Sequence, residues 1–254
     1  MTKKILVLKI GTSTLTGGGH YIRRGKLEDM AQQLIVLQKE YDILIVSSGA
    51  VAAAKQTIKW AGGNTNSMPH KQALAAIGQP FLMNRYQDVF NDFNLNIAQC
   101  LLTYYDVDNN TARQNILNTL HVLWQHNYIP IINENDTVAT DEIKFGDNDK
   151  LAATVAVLVQ AHLIILASDI DGLFDADPKV NKNATLITHV NNMDTIHINV
   201  GHTLSSQGTG GMQSKIIAAT ICMANNIPLW IVNGQKDNFI LHAINGTMPC
   251  TKFY

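Results

Sequence analysis

Residues 4–11, KILVLKIG, and 42–49, DILIVSSG, decide the fold of this chain. Each is a run of aliphatic and β-branched side chains closed by glycine, without the polar alternation of a strand that keeps one face in water. Such runs belong in a parallel sheet buried on both faces. NIAQCLL (96–102), YIPII (128–132), HLIILAS (162–168) and PLWIVNG (228–234) repeat the pattern. Between them lie segments of helical length: KLEDMAQQLIVLQKE (26–40), with Leu27, Met30, Leu34 and Leu37 at helical spacing, NTARQNILNTLHVLWQHN (110–127), LAATVAVLVQA (151–161) and MQSKIIAATICMANN (212–226). Strand and helix in alternation imply right-handed crossovers. The expected architecture is an α/β three-layer sandwich: an open, mostly parallel central sheet with helices on both faces. No Pro/Ser-rich linker, repeat or low-complexity tract interrupts residues 1–254, so a single domain is expected.

Composition narrows the function classes. With 19 basic and 20 acidic residues among 254, nothing calls for a nucleic acid or an anionic membrane as partner. No apolar run approaches the roughly 18 residues that span a bilayer, and the MTKKILVLKIG start lacks the features of a signal peptide, so a cytoplasmic protein is expected. Cys100, Cys222 and Cys250 stand far apart in apolar surroundings, which fits reduced core thiols. The nine histidines form no HExxH or HxxEH pattern, so no transition-metal site is expected.

Open parallel sheets bind ligands at the carboxyl ends of their strands. The segments that follow the strands here are KIGTSTLTGGG (9–19), SSGAVAAA (47–54), INENDTVATDEIKFGDND (132–149) and SDIDGLFDADP (168–178); a further glycine cluster, GTGGMQSK (208–215), opens a helix. Glycines let backbone N–H groups approach an anion. Neither cluster matches the GxGxxG or GxxxxGK[ST] fingerprint, so tight turns are the competing reading for each. Lys9 lies in an otherwise apolar strand, where an ammonium must reach solvent or an anion. Lys215, near a helix start, opposes the helix dipole unless an anion sits there, although an exposed helix lysine explains it equally well.

The stretch from Ile132 to Asp149 holds six carboxylates, three asparagines and one lysine. A metal site, a solvated acidic patch and a cage for a cationic ligand are the three readings open to it. SDIDGLFDADP has four aspartates around a glycine and ends in Pro178, which suits an ordinary turn. Its spacing does not make a calcium loop.

In order and spacing, KIGTSTLT, VSSGAVAAA, INENDTVATDEIKFGDNDKLAA, SDIDGLFDADP and GTGGMQSKIIAA resemble the motifs of the glutamate 5-kinases, a branch of the amino-acid kinase family. The resemblance covers nearly the whole chain. It implies transfer of the ATP γ-phosphoryl group to the side-chain carboxylate of L-glutamate, giving γ-glutamyl phosphate, the first step of proline biosynthesis. By the same resemblance Lys9, Lys215 and Asp149 are catalytic, Asp149 directing the two lysines. Gly11, Ser168, Asp169, Thr209, Gly210, Gly211, Met212, Gln213 and Ser214 join Lys9 and Lys215 around the nucleotide. Ser48, Gly49, Ala50, Asp136 and Asn148 hold the amino acid, Asp136 facing its ammonium, while Asn133, Lys144 and Asp147 are possible neighbours. Mg²⁺ is implied as an ion held mainly by nucleotide phosphates and water. L-proline as feedback inhibitor and a homo-oligomeric state are further expectations, with ALAAIGQPFLMNRYQDVF (73–90) read either as interface or as core helix. Many members carry a C-terminal PUA domain, and the GTMPCTKFY end implies its absence here.

Three competing readings follow. A related kinase could act on carbamate, aspartate, N-acetylglutamate or a nucleoside monophosphate, but an acetylated amine would leave Asp136 without a cation, and UMP would want more than Lys144 in the acidic loop. A non-catalytic amino-acid sensor would have lost a lysine or Asp149, and all three are present. A nicotinamide-dependent oxidoreductase lacks its fingerprint here.

Overall fold

The computed structural model describes residues 3–58, 67–139, 148–195 and 211–254. The acidic-loop residues 140–147, with Lys144 and Asp147, and residues 196–210, with Thr209 and Gly210, lie outside them.

An eight-stranded sheet in the order β3-β4-β2-β1-β5-β9-β10-β8 forms the middle layer. Its longer inner strands are β1 (Lys4–Ile10), β2 (Tyr41–Ser47), β4 (Tyr128–Glu134), β5 (Leu163–Ser168) and β9 (Leu229–Asn233). Every pairing from β3 (Asn96–Leu102) through β9 is parallel. The continuous apolar runs are explained by what lies on either side of them. Leu6, Leu8 and Ile10 enter one core together with residues of α2 (Arg24–Leu37), α3 (Ala50–Thr57), α4 (Met68–Asp92) and α9 (Phe239–Ile244). Val7, Leu44 and Ile132 enter the opposite core with α6 (Asn110–Gln125), α7 (Asn148–Leu158) and α8 (Met212–Met223). Period-two alternation therefore places Lys9 on the α7/α8 face, and Ser47 and Asn133 on the α4 face.

Several details depart from the sequence expectation. NIAQCLL is β3, the strand at the sheet's edge, and only Ile97 and Leu102 of it are buried. SSGAVAAA contains the start of helix α3, and KIGTSTLT contains α1 (Thr12–Thr16), with Gly17 at φ 58° closing it. The last two residues of the acidic stretch, Asn148 and Asp149, form the first turn of α7. At the far edge the two- and three-residue strands β8 (His189–Val190) and β10 (Thr251–Phe253) complete the sheet, β10 pairing antiparallel with β9. Within SDIDGLFDADP, β6 (Leu173–Phe174) pairs with β7 (Leu186–Ile187), while Asp175 and Asp177 accept backbone N–H bonds from Thr185 and Lys179. Those two aspartates are turn residues.

Helix α4 has Leu74, Ala75, Leu82, Tyr86, Val89 and Phe90 buried, so this face of the 73–90 segment belongs to the core. Gly78 lets α4 press on the start of α3: a Cβ there would fall 1.8 Å from the Ala50 carbonyl oxygen. Short α5 (Tyr104–Asp108) opens with a capping box between Thr103 and Asp106. Among the described residues no helix is long and apolar enough to cross a membrane.

Candidate active site

Because β1, β2, β4, β5 and β9 run parallel, their carboxyl ends gather on one side of the sheet. Register puts Ile10 beside Ser47 and Ala167, and Ser168 beside Asn233. The helices α3, α7 and α8 all begin there.

At the centre Asp149 is fully buried between two lysines. Its Oδ1 lies 2.6 Å from Lys9 Nζ and its Oδ2 lies 2.9 Å from Lys215 Nζ. Lys9 and Lys215 are each only 6% exposed. Ser214 adds a hydroxyl 3.2 Å from Asp149 Oδ2. Burial alone would raise the Asp149 pKa, but the charges and hydrogen bonds of Lys9 and Lys215 outweigh it and hold the carboxyl well below the usual carboxylate range. Asp149 stands in the first turn of α7, where the dipole favours an anion, and it relieves the unfavourable placement of Lys215 in the first turn of α8. Lys9 thus meets the anion that a lysine in a buried strand requires.

Asn148, one residue earlier, is built differently. Its Nδ2 donates to the Ser47 carbonyl at 2.8 Å, to Ser48 Oγ at 3.2 Å and to Asn133 Oδ1 at 2.8 Å. Its own Oδ1 is buried and meets no hydrogen-bond donor among the described residues. Beside it Gly49 takes φ 112°, a conformation for which glycine is suited, and a Cβ there would stand 3.0 Å from Leu15. Gly49 is followed directly by Ala50, the first residue of α3. Asp136 lies in the turn after β4, half-buried; desolvation, and then the charge of Glu134, push its pKa up to about 6.

On the α8 side, Gly11 leaves room beside Lys9: a Cβ there would be 3.6 Å from Lys9 Nζ. Ser168 is buried at the end of β5 and its hydroxyl donates to Asp169 Oδ1 at 3.3 Å, while Asp169 is exposed. Gly211 precedes α8, which carries Met212, Gln213, Ser214 and Lys215 in order along its first turn. The structure therefore brings Lys9, Gly11, Asp149, Ser214 and Lys215 together, and Ser48, Asn133 and Asn148 together.

Sequence reading missed several polar residues here. Gln79 of α4 accepts from Asn133 Nδ2 at 2.8 Å, and Ser47 shares a hydrogen bond of 2.9 Å with Tyr86. Asp171, Asn233 and Lys236 form a cluster next to the β5 and β9 ends. A polar residue inside a helix pattern reads as a surface position, so only the apolar neighbours of Gln79 and Tyr86 could have signalled their burial.

The amino acid kinase family model matches residues 4–233. The chain belongs to the amino acid kinase family. Within that family it is 41% identical over 242 residues to the glutamate 5-kinase of Clostridium acetobutylicum, covering 94% of this chain and 90% of that one. It is 43% identical over 254 residues to the glutamate 5-kinase of Alkaliphilus metalliredigens, covering 98% and 95%. Against the glutamate 5-kinase of Thermus thermophilus identity is 40% over 259 residues, covering all of this chain and 68% of that one. Among solved structures of the amino acid kinase fold, UMP kinase from Ureaplasma parvum superposes with a TM-score of 0.67 at 21% identity, covering 100% of this chain and 99% of that one. An isopentenyl phosphate kinase of T. acidophilum gives 0.66 at 14%, covering 98% and 100%. These two likenesses show the fold.

Proposed function

We propose that this chain phosphorylates the γ-carboxylate of L-glutamate with ATP, releasing ADP and γ-glutamyl phosphate, the first step of proline biosynthesis. One observation carries the reading: the buried Lys9–Asp149–Lys215 cluster at the ends of the parallel strands, in a chain about 40% identical to glutamate 5-kinases over nearly its whole length.

The chemistry fits what the residues offer. A glutamate side chain, with a pKa of about 4.3, is ionised at neutral pH and attacks without a general base. A carboxylate oxygen forms the new bond to the γ-phosphorus while the bond from that phosphorus to the β,γ-bridging oxygen breaks, its electron pair leaving on ADP. The obstacle is bringing one anion to another, so catalysis rests on positioning and on cations directed at the transferring group. An ammonium has three donors, so Lys9 and Lys215 can each serve Asp149 and a phosphoryl oxygen at once. Asp149 fixes the direction of both. Ser168, Asp169, Gly11 and residues 209–215 are assigned to the nucleotide; Ser48, Gly49, Ala50, Asp136 and Asn148 to glutamate, with the Asp136 carboxylate facing its ammonium. Lys144, Asp147 and Asn133 are its assigned neighbours.

Mg²⁺ enters this proposal as an ion carried by the nucleotide. Both oxygens of Asp149 are held by lysines, so that carboxylate is a poor ligand for a metal, and no step is assigned to the ion. L-proline, which shares the α-carboxylate and a cationic amine with glutamate, is proposed to compete at the Asp136 side. Self-association is proposed as well, and sedimentation of the purified protein tests it.

ADP release measured with L-glutamate, N-acetyl-L-glutamate, L-aspartate, carbamate and UMP tests the main reading. Turnover is expected with L-glutamate alone, and its absence there overturns the proposal.

A further inference from the structure

We infer that Gln79 is a positioning residue for the amino-acid side of the site, acting through Asn133 on Asn148; the inference rests on the glutamate-phosphorylating reading above.

Four side-chain amides form a line from the edge of the sheet to the site. Gln99 in β3 is exposed, Gln79 and Asn133 are 8% and 3% exposed, and Asn148 is 4% exposed. Gln79 Nε2 donates to Gln99 Oε1 at 3.0 Å, Asn133 Nδ2 donates to Gln79 Oε1 at 2.8 Å, and Asn148 Nδ2 donates to Asn133 Oδ1 at 2.8 Å.

The direction of this line is fixed by backbone groups, whose roles admit no choice. The Ser47 carbonyl can only accept, so the Asn148 atom 2.8 Å from it must be the NH₂. The Glu134 N–H can only donate, so the Asn133 atom 2.9 Å from it must be the carbonyl oxygen. Asn133 is then left to present its NH₂ to α4. Gln79 answers with its oxygen.

At the inner end the consequence is an acceptor, Asn148 Oδ1, buried with no donor among the described residues. A network kept only for stability closes on itself, because each buried polar group left unpaired is costly. Here every interior member is paired except the one atom at the site. Gln79 belongs to the buried side of α4 together with Leu74, Ala75, Leu82 and Tyr86, a setting in which an apolar residue would cost less desolvation. Gly78 ties the same turn of α4 to the Ala50 carbonyl, so Gln79 is held in register with the start of α3.

Without the Gln79 oxygen, Asn133 Nδ2 is buried with no acceptor on α4, while the Glu134 N–H still holds Asn133 Oδ1. The Asn133 carboxamide keeps one anchor of two and shifts about it, which weakens its bond to Asn148 Nδ2 and loosens the direction of Asn148 Oδ1. The loss should appear in glutamate binding and spare the nucleotide.

The test is steady-state kinetics of the full chain carrying Gln79→Met, with glutamate and ATP varied separately. Leaving one buried donor unpaired predicts a rise of about tenfold in glutamate KM, with ATP KM within about twofold. Because Gln79 acts through Asn133, Gln79→Met should add no further rise in an Asn133→Ala background. An unchanged glutamate KM, equal rises in both KM values, or additive losses in the double variant each overturn the inference. Gln79→Ala, which removes the carboxamide without adding apolar bulk, is judged by the same criteria if the Met variant does not fold. If the unmodified protein does not turn over glutamate, the functional reading itself falls; if it does and Gln79→Met matches it, Gln79 alone is removed.

Discussion

Asn148 and Asp149 are adjacent in the first turn of α7, and they anchor two opposite solutions to burying polarity. Asp149 joins two ammonium groups over distances of 2.6 and 2.9 Å. Asn148 joins a line of neutral amides oriented by the Ser47 carbonyl and the Glu134 N–H. Removing the carboxylate from the first leaves two buried ammonium groups without their shared anion, whereas removing a member of the second leaves one unpaired dipole. The charged cluster is therefore expected to govern stability and phosphoryl transfer, and the amide line to govern where the acceptor sits.

The sharpest way to break this contrast is Asp149→Asn. It leaves two buried lysines facing a neutral amide, and a loss of about 3–5 kcal/mol in unfolding free energy is expected from denaturant titration. The pH dependence has a definite sign. The folded-state pKa of Asp149 is depressed, so its contribution is present above the unfolded value of about 3.9 and is lost as pH falls below it. The variant should lack that portion of the acid sensitivity. If Asp149→Asn is as stable as the parent at neutral pH, the cluster does not hold the fold.

Lys215→Ala separates stability from catalysis. A donor directed at the charge that develops on the transferring group contributes roughly 100- to 1000-fold to kcat. A fall of that size, with glutamate KM changed far less, is expected in the ADP-release assay. Retained kcat would remove Lys215 from the catalytic residues.

The two poles were not equally legible in the sequence. KILVLKIG and DILIVSSG announce a doubly covered sheet because both faces of β1 and β2 are buried, so the runs Ile5–Leu8 and Ile43–Val46 carry no polar residue and Lys9 stands out. NIAQCLL carries a weaker signal because β3 is an edge strand, and β8 and β10 are too short to have a period. Lys9 announced itself as a cation in an apolar strand, but its partner is 140 positions away and only the family resemblance connected them. The acidic stretch read as one loop. In the fold Asn133 and Glu134 finish β4 and Asn148 and Asp149 begin α7, so four of its polar residues are framework. Gln79 by itself reads as a surface position, since the buried side of α4 shows only through its apolar neighbours and its packing on α2, α3 and β3.

The smallest effect expected concerns Asp136, and it tests whether the acceptor side sacrifices stability for binding. Burial and the Glu134 charge raise its pKa to about 6, so the free protein is penalised for ionising it. Because the folded value lies above the unfolded one of about 3.9, the native state holds the proton more tightly between the two values, and stability declines as pH rises through that window. Asp136→Asn removes the penalty. The variant should match the parent near pH 4 and exceed it above pH 6 by on the order of 1 kcal/mol in thermal or denaturant unfolding. Saturating L-glutamate should reverse the order, since its ammonium balances the carboxylate in the parent and finds only a neutral amide in the variant. In the parent, glutamate KM should rise as pH falls below about 6, and in the variant it should be high and flat across the same range. A variant that is more stable yet binds glutamate as tightly as the parent would take the ammonium away from Asp136 and leave the neutral amides to recognise the amino acid by themselves.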